Sequence, residues 1–257
     1  MSTFLFNEII FGPVSSRRLG ISLGVNLLPT DYKFCTFNCV YCECGWTLKA
    51  KKKIELPSRK EVKTELEKVL KQYSEQAKEI NSITFAGNGE PTIHPSFSSI
   101  IDDTIELRNK WMPNADISVL SNASQLNKTS VTEALKKIDQ NILKLDAGTE
   151  KTYLQINQAQ AHLTFDKIVD YLKSFNGNLI IQTLFIKGEN NNEKFDNTSD
   201  EEVNAWLQII KEIQPKSVML YPIERDTPTQ GLSKVDTKTL HKIANRIEAL
   251  GIKTEVY

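Results

Sequence analysis

A run of about six alternating strands and helices predicts an α/β fold, an open, partial (β/α)6 barrel in a single domain. Three observations carry that expectation. Strands alternating with helices imply a parallel sheet with the helices packed outside it. Six such units are too few to close the eight-stranded barrel that a length of 257 residues would otherwise suit. A cysteine-rich loop follows the first predicted strand, at the end where barrel folds place their reactive groups.

The elements follow in order. Residues 11–24 read Phe-Gly-Pro-Val-Ser-Ser-Arg-Arg-Leu-Gly-Ile-Ser-Leu-Gly, a constrained lead-in to a strand at about 21–28 that Pro29 ends. The clearest helix is 58–80, where Val62, Leu66, Val69, Leu70, Tyr73, Ala77 and Ile80 form one apolar stripe. Ser58 and Glu61 open it as a capping box, each side chain satisfying an orphan backbone donor. A strand at 82–86 runs into the turn Gly87-Asn88-Gly89-Glu90-Pro91. Helix 96–111, strand 115–121, helix 130–138 with a Ser130/Glu133 box, strand 141–146 and helix 164–175 come next. The apolar, β-branched run 178–186 reads as a strand buried on both faces. The polar, Asn-rich stretch 187–198 reads as a loop, either a mobile lid or a plain surface insertion. Helix 199–213 opens on a Ser199/Glu202 box, strand 217–223 follows, and helix 236–250 is last. The barrel core is set at 21–223, with 224–257 a C-terminal helix and tail.

Charge and cysteine usage narrow the class. Lys plus Arg equals Asp plus Glu, 32 against 32, so no global field draws the chain to nucleic acid or to a membrane surface. Lys49, Lys51, Lys52 and Lys53 make the densest local basic patch and read as solvated loop. All four cysteines fall between Cys35 and Cys44. A disulfide framework would spread them to close loops, so clustering favours metal. Residues 1–10 show no basic n-region, and no run approaches the roughly 18 apolar residues of a membrane span. The expectation is a cytoplasmic protein.

Cys35, Cys39 and Cys42 are spaced C-x3-C-x2-C, with Tyr41 directly before the last. Such spacing suits three irons of a cubane iron–sulfur cluster and leaves the fourth without a protein ligand. A full set of four cysteines would suit electron transfer, whereas an open metal position suits chemistry. Two rivals stand beside this reading. One is an electron-transfer cluster. The other is zinc held by Cys35, Cys39, Cys42 and Cys44, awkward because only Glu43 separates the last two. In the turn at 87–91, glycines let a backbone approach a ligand closely, and Glu90 adds a carboxylate suited to an ammonium group. Asn-Gly is also an ordinary turn. Arg17, Arg18 and Arg225 flank the predicted barrel and suit bidentate binding of an anionic substrate, or salt bridges that hold the N-terminal segment. Gln182 and Lys187, on or just past the fifth strand, are lesser candidates. Cys44 is a spare thiol, a hydrogen-atom donor or a ligand. His94, His162 and His241 are scattered and take no role.

Together, Cys35, Cys39 and Cys42, Tyr41 and Gly87-Asn88-Gly89-Glu90 resemble the radical S-adenosylmethionine (SAM) superfamily, over about residues 21–223. That resemblance implies a [4Fe-4S] cluster on Cys35, Cys39 and Cys42. Its fourth iron would be chelated by the amino and carboxylate groups of SAM. It further implies adenine against the Tyr41 backbone and the methionine amino group at the glycine turn. Ser121 and Asn122 would sit near ribose or carboxylate, and Asp146 would face cofactor or substrate. Flavodoxin or ferredoxin is the implied electron donor. The implied activity is reductive cleavage of SAM to a 5′-deoxyadenosyl radical that takes hydrogen from a substrate, such as a modified nucleobase or a small anionic metabolite. An enzyme that installs a glycyl radical on a partner protein is the alternative within the class. A non-catalytic iron–sulfur or zinc-binding protein is the alternative outside it.

A narrower likeness rests on residues 12–20, on Cys39-Val40-Tyr41-Cys42-Glu43-Cys44-Gly45 and on Tyr221-Pro222-Ile223-Glu224-Arg225-Asp226-Thr227-Pro228. These resemble a prokaryotic branch grouped with the enzymes that build the tricyclic wyosine base of tRNA. Archaeal and eukaryotic members carry a second cluster. Here only Cys44 remains beyond the motif, too few ligands for one, so pyruvate condensation and a tRNA substrate are not implied.

Overall fold

The computed structural model describes residues 4–47, 55–160 and 162–257. The basic stretch Lys49, Lys51, Lys52 and Lys53 lies outside them. In chain order the strands are β1 (Ile10–Ser16), β2 (Gly20–Val25), β3 (Ser82–Phe85), β4 (Asp116–Ser121), β5 (Gln140–Lys144), β6 (Ile180–Leu184), β7 (Ile186–Asn190), β8 (Glu193–Asp196), β9 (Ser217–Tyr221), β10 (Ser233–Lys234) and β11 (Lys253–Val256). The helices are α1 (Arg59–Glu75), α2 (Phe97–Trp111), α3 (Thr129–Lys136), α4 (Glu150–Asn157), α5 (Phe165–Lys173), α6 (Asp200–Ile213) and α7 (Thr237–Glu248). One eight-stranded sheet runs in the order β1-β2-β3-β4-β5-β6-β9-β11. β1 pairs antiparallel with β2, and every later pair is parallel. The sheet curls into the expected half-barrel, with β2 to β6 and β9 as its six-stranded core.

The two faces of the sheet are chemically distinct because side chains alternate along a strand. Leu23, Val25, Ile83, Phe85, Ile117, Val119, Leu143, Ile181, Val218 and Leu220 join the main core with Val62, Leu66 and Leu70 of α1, Ile100, Ile101 and Leu107 of α2 and Trp206 of α6. Trp206 also donates from its indole to the Leu145 carbonyl at 3.0 Å. The opposite face carries Ser22, Ser82, Thr84 and Ser118, linked hydroxyl to hydroxyl at 2.7–2.9 Å. A small apolar plug of Leu19, Ile142 and Met219 lies on that inner side too. Leu19 belongs to the β1–β2 turn, which folds over the lumen.

Most helix starts are capped as their chemistry dictates, although Ser96 before α2 makes no side-chain cap. Ser58 and Glu61 form the reciprocal capping box. At α6 only half a box forms: Ser199 accepts from Glu202 N, but the Glu202 carboxylate turns to Gly148 N at 2.9 Å and to the Thr149 hydroxyl. The Ser130/Glu133 box is not made, because α3 begins a residue earlier and Lys128 is its uncapped N-cap.

Three expectations are corrected. Residues 224–257 are more than a helix and tail, since β11 adds a parallel strand beside β9. Residues 11–24 form an antiparallel hairpin, not a lead-in. Residues 187–198 are not a loop: β7 and β8 pair antiparallel around Asn191 and Asn192, both at positive φ, which asparagine tolerates in tight hairpins.

Between α1 and α2, Asp103 receives Arg59 Nε at 2.6 Å and Lys63 Nζ at 3.0 Å. The Arg59 hydrogen bond holds its carboxyl below the ordinary value of 3.8. Because both cations are more than a third exposed, Asp103→Asn is expected to cost only about 1 kcal/mol. A depressed folded-state pKa means this contribution is complete above the ordinary carboxylate range and disappears as pH falls through the folded value. Urea midpoints of parent and variant should therefore differ at about pH 6 and converge once pH falls below the folded-state value.

Candidate active site at the C-terminal rim of the sheet

The cysteine loop is held between two backbone partners. On one side Phe34 bridges Gly89 in parallel, with Phe34 N donating to Asn88 O at 2.8 Å and Glu90 N to Phe34 O at 3.2 Å. On the other, Phe37 bridges Ala159, and Val40 N donates to Ile156 O at 2.9 Å. Gly89 is required by this docking. Its φ is +143°, and a Cβ there would lie 1.9 Å from the Phe34 carbonyl oxygen.

All four cysteines are free thiols. Cys35 Sγ accepts from Asn122 Nδ2 at 3.5 Å and from Phe37 N at 3.4 Å, and Cys39 Sγ accepts from Asn157 Nδ2 at 3.5 Å. Burial pushes Cys35 up to about 12 and raises Cys39 as well. A hydrogen bond from Cys44, helped by the Lys33 ammonium, holds Cys42 down to about 5 and pushes Cys44 up in turn. Gly87 O lies 3.5 Å from Cys44 Sγ, the other acceptor within reach of its single hydrogen.

The glycine turn serves the protein's own architecture. Asn88 is fully buried, its amide donating to Phe6 O and Pro29 O at 2.8 Å while its oxygen accepts from Phe6 N. Glu90, 2% exposed, accepts from Thr92 N and the Thr92 hydroxyl, from Ser121 Oγ at 2.8 Å and from Asn122 N at 2.6 Å. It thus ties the turn after β3 to the end of β4. Asn122 reaches the cysteine loop, donating to Thr36 Oγ1 at 3.0 Å as well as to Cys35, while Ser121 is held on Glu90.

Asp146 anchors a second group in the lumen. Its carboxylate accepts from Tyr41 OH, from Lys144 Nζ at 3.2 Å, from Asn157 Nδ2 at 2.8 Å and from Leu184 N at 3.0 Å. Lys144 also donates to Tyr41 OH. Burial alone would lower the Lys144 pKa, but Asp146 and its neighbours outweigh it and hold the ammonium above its ordinary range. Tyr41 is raised by burial and by Asp146. Arg18 reaches the same space, donating to Gln182 Oε1 at 3.1 Å with its guanidinium 4.8 Å over the Tyr221 ring.

The other substrate candidates lie elsewhere. Arg17 pairs with Glu224, Arg225 with Glu43 at 2.7 Å, and Lys187 with Asp196 on the β7–β8 hairpin. Lys33, Lys144, Asn157 and Tyr221 are the site residues that sequence reasoning missed. A lysine closing an apolar strand was an available signal for Lys144. Asn157 offered none.

A profile of the radical SAM superfamily matches residues 30–220. The chain belongs to the radical SAM superfamily. Members use a [4Fe-4S] cluster and SAM. Among curated relatives, a Brachyspira hyodysenteriae protein named GTPase Obg is 30% identical over 93% of this chain and 33% of its own length. UPF0026 protein MJ1312 of Methanocaldococcus jannaschii is 30% identical over 82% of this chain and 62% of its own. The chain thus spans a third and under two thirds of these relatives.

Solved structures give the fold. A radical SAM methyltransferase from Sphaerobacter thermophilus superposes with TM-score 0.67 at 13% identity, over 92% of this chain and 65% of that one. Streptococcus suis SuiB bound to S-adenosylmethionine gives 0.64 at 16%, over 91% and 50%. Archaeal TYW1 gives 0.55 at 15%, over 89% and 71%.

The residues fit the superfamily's cluster. Three free thiols share one loop, and two of them receive amide hydrogen bonds of the kind that tune cluster sulfurs. Among the described residues no three His, Cys, Asp or Glu side chains converge closely enough to hold a single ion. Among them, too, no helix is long and apolar enough to cross a membrane.

Proposed function

We propose that this radical SAM protein cleaves SAM reductively and removes hydrogen from an anionic substrate bound in the half-barrel lumen. The observation that carries this reading is the docking of the cysteine loop on Gly89, which makes the thiols and the glycine turn one surface at the sheet's C-terminal rim. When bound, the cluster supplies the electron that breaks the sulfonium S–C5′ bond and so generates the 5′-deoxyadenosyl radical.

Cys35, Cys39 and Cys42 would hold the cluster. The glycine turn at 87–90, with Ser121 and Asn122, would receive SAM. Because Glu90 already accepts from Thr92, Ser121 and Asn122, its role is to fix the turn, with at most its remaining lone pairs for an ammonium group. The Tyr41 ring and the Lys144–Asp146 pair form the lumen wall beside the loop. Arg18 is the binding group for the anion, since Arg17 and Arg225 are both occupied by carboxylates. Flavodoxin or ferredoxin is the proposed electron donor.

The test is anaerobic reconstitution with iron and sulfide, reduction with dithionite, addition of SAM and assay of 5′-deoxyadenosine by mass spectrometry. Formation of deoxyadenosine is expected. Iron-loaded protein that makes none, alone or with cell extract, would point instead to electron transfer. For any substrate found, Arg18→Ala is expected to raise KM about tenfold or more, the loss of a charge-assisted hydrogen bond.

A further inference from the structure

Lys33 is 3% exposed yet carries an ammonium group. Its Nζ donates to the Gly45 carbonyl at 3.0 Å, and Gly45 N donates to Cys42 O at 2.9 Å, so the ammonium sits against the turn that ends the cysteine motif. The side chain therefore spans the loop from its start to its end and is pinned at the cysteines. Among the described residues it makes no ion pair with a carboxylate, and the groups acting on it electrostatically are Cys42, Cys35 and Cys39. Burying a cation without a counter-charge is costly, and a neutral side chain closing the same loop would avoid that cost. The arrangement is balanced once negative charge gathers at the three sulfurs. Thiolates holding an iron–sulfur core supply that charge.

We propose that Lys33 is a positioning residue that places a fixed positive charge against the cysteine triad and raises the reduction potential of the cluster held there. Reduction adds one electron, delivered by an external one-electron reductant, and no bond is made or broken in the protein. The negative charge at the triad grows with that electron, and a nearby fixed cation favours the reduced form. Burial matters here, because screening by solvent and salt is weak for a group so enclosed. Asn122 and Asn157 donate to Cys35 and Cys39 as neutral amides. Lys33 is the charged member of this set, held on Gly45 at the end of the same loop.

The inference rests on the superfamily's cluster and is independent of the turnover proposed above. Its test is an EPR-monitored redox titration of the reconstituted full chain, without SAM or substrate, comparing parent, Lys33→Gln and Lys33→Arg. Gln keeps an amide donor for Gly45 but no charge, whereas Arg keeps the charge. Lys33→Gln is expected to titrate at a more negative potential, its reduction equilibrium weakened at least about tenfold, which is about 59 mV for a one-electron couple. Lys33→Arg is expected close to the parent. A Gln variant at the parent's potential would reduce Lys33 to a loop clip and overturn the proposal. So would an Arg variant displaced as far as Gln, or equal loss of iron from both.

Discussion

An Asp146→Ala chain is expected to lose about 3–5 kcal/mol of stability, the range for breaking a buried ion pair by removing one partner. The loss would be a large share of the roughly 5–15 kcal/mol that holds a typical domain together. Four donors lose their acceptor at once: the Lys144 ammonium, the Tyr41 hydroxyl, the Asn157 amide and the Leu184 N–H. With Asp146 2% exposed, water cannot replace them without opening the site. Asp146→Asn keeps a carbonyl oxygen for Leu184 and should fall between parent and Ala. Urea unfolding monitored by circular dichroism measures both. A midpoint for Ala within about 1 kcal/mol of the parent would mean that Lys144 does not depend on this carboxylate.

Cys39→Ala is expected to leave the fold intact while iron retention collapses and 5′-deoxyadenosine falls to background. Loss of a hydrogen bond behind a metal ligand already costs about 10–100-fold in affinity, and loss of the ligand itself costs more. The fold should survive because the loop is fixed by backbone pairing at Phe34 and Phe37 and by Val40 N on Ile156 O, none of which involves a sulfur. Iron and sulfide analysis beside a thermal melt separates the two effects. A variant that melts like the parent and keeps its iron would remove Cys39 from the ligand set.

How far the sequence disclosed this molecule depends on whether a signal is local. The apolar stripe of Val62, Leu66 and Leu70 and the Ser58/Glu61 cap are short-range patterns, and α1 forms where they predict. The three-cysteine spacing and the glycine turn lie within single loops and were readable for the same reason. β11 was hidden because its four residues, Lys253-Thr254-Glu255-Val256, carry little apolar pattern and are strand only through pairing with β9. The β7–β8 hairpin reads as a loop in sequence because its polarity outweighs the Asn191-Asn192 turn signal. In the site, Glu90 reads as a free carboxylate in sequence, but folding gives it the donors of Ser121 and Asn122, which lie 31 and 32 residues on. The pairing of Tyr41 with Lys144 and Asp146 spans more than a hundred positions, and no periodicity announces it.

The pairing of residues 36–40 with residues 156–160 also sets an order of events during biosynthesis. When Cys42 leaves the ribosome, the segment that will flank its loop has not been made. Until Ala159 has emerged, the loop can be anchored on one side only, through Phe34 on Gly89. After Ala159 the frame can close around the three thiols by backbone hydrogen bonds alone. Small zinc domains wait for their ion before they fold. Here the backbone pairing that positions the thiols involves no sulfur, so the frame does not depend on a bound ion for its hydrogen bonds.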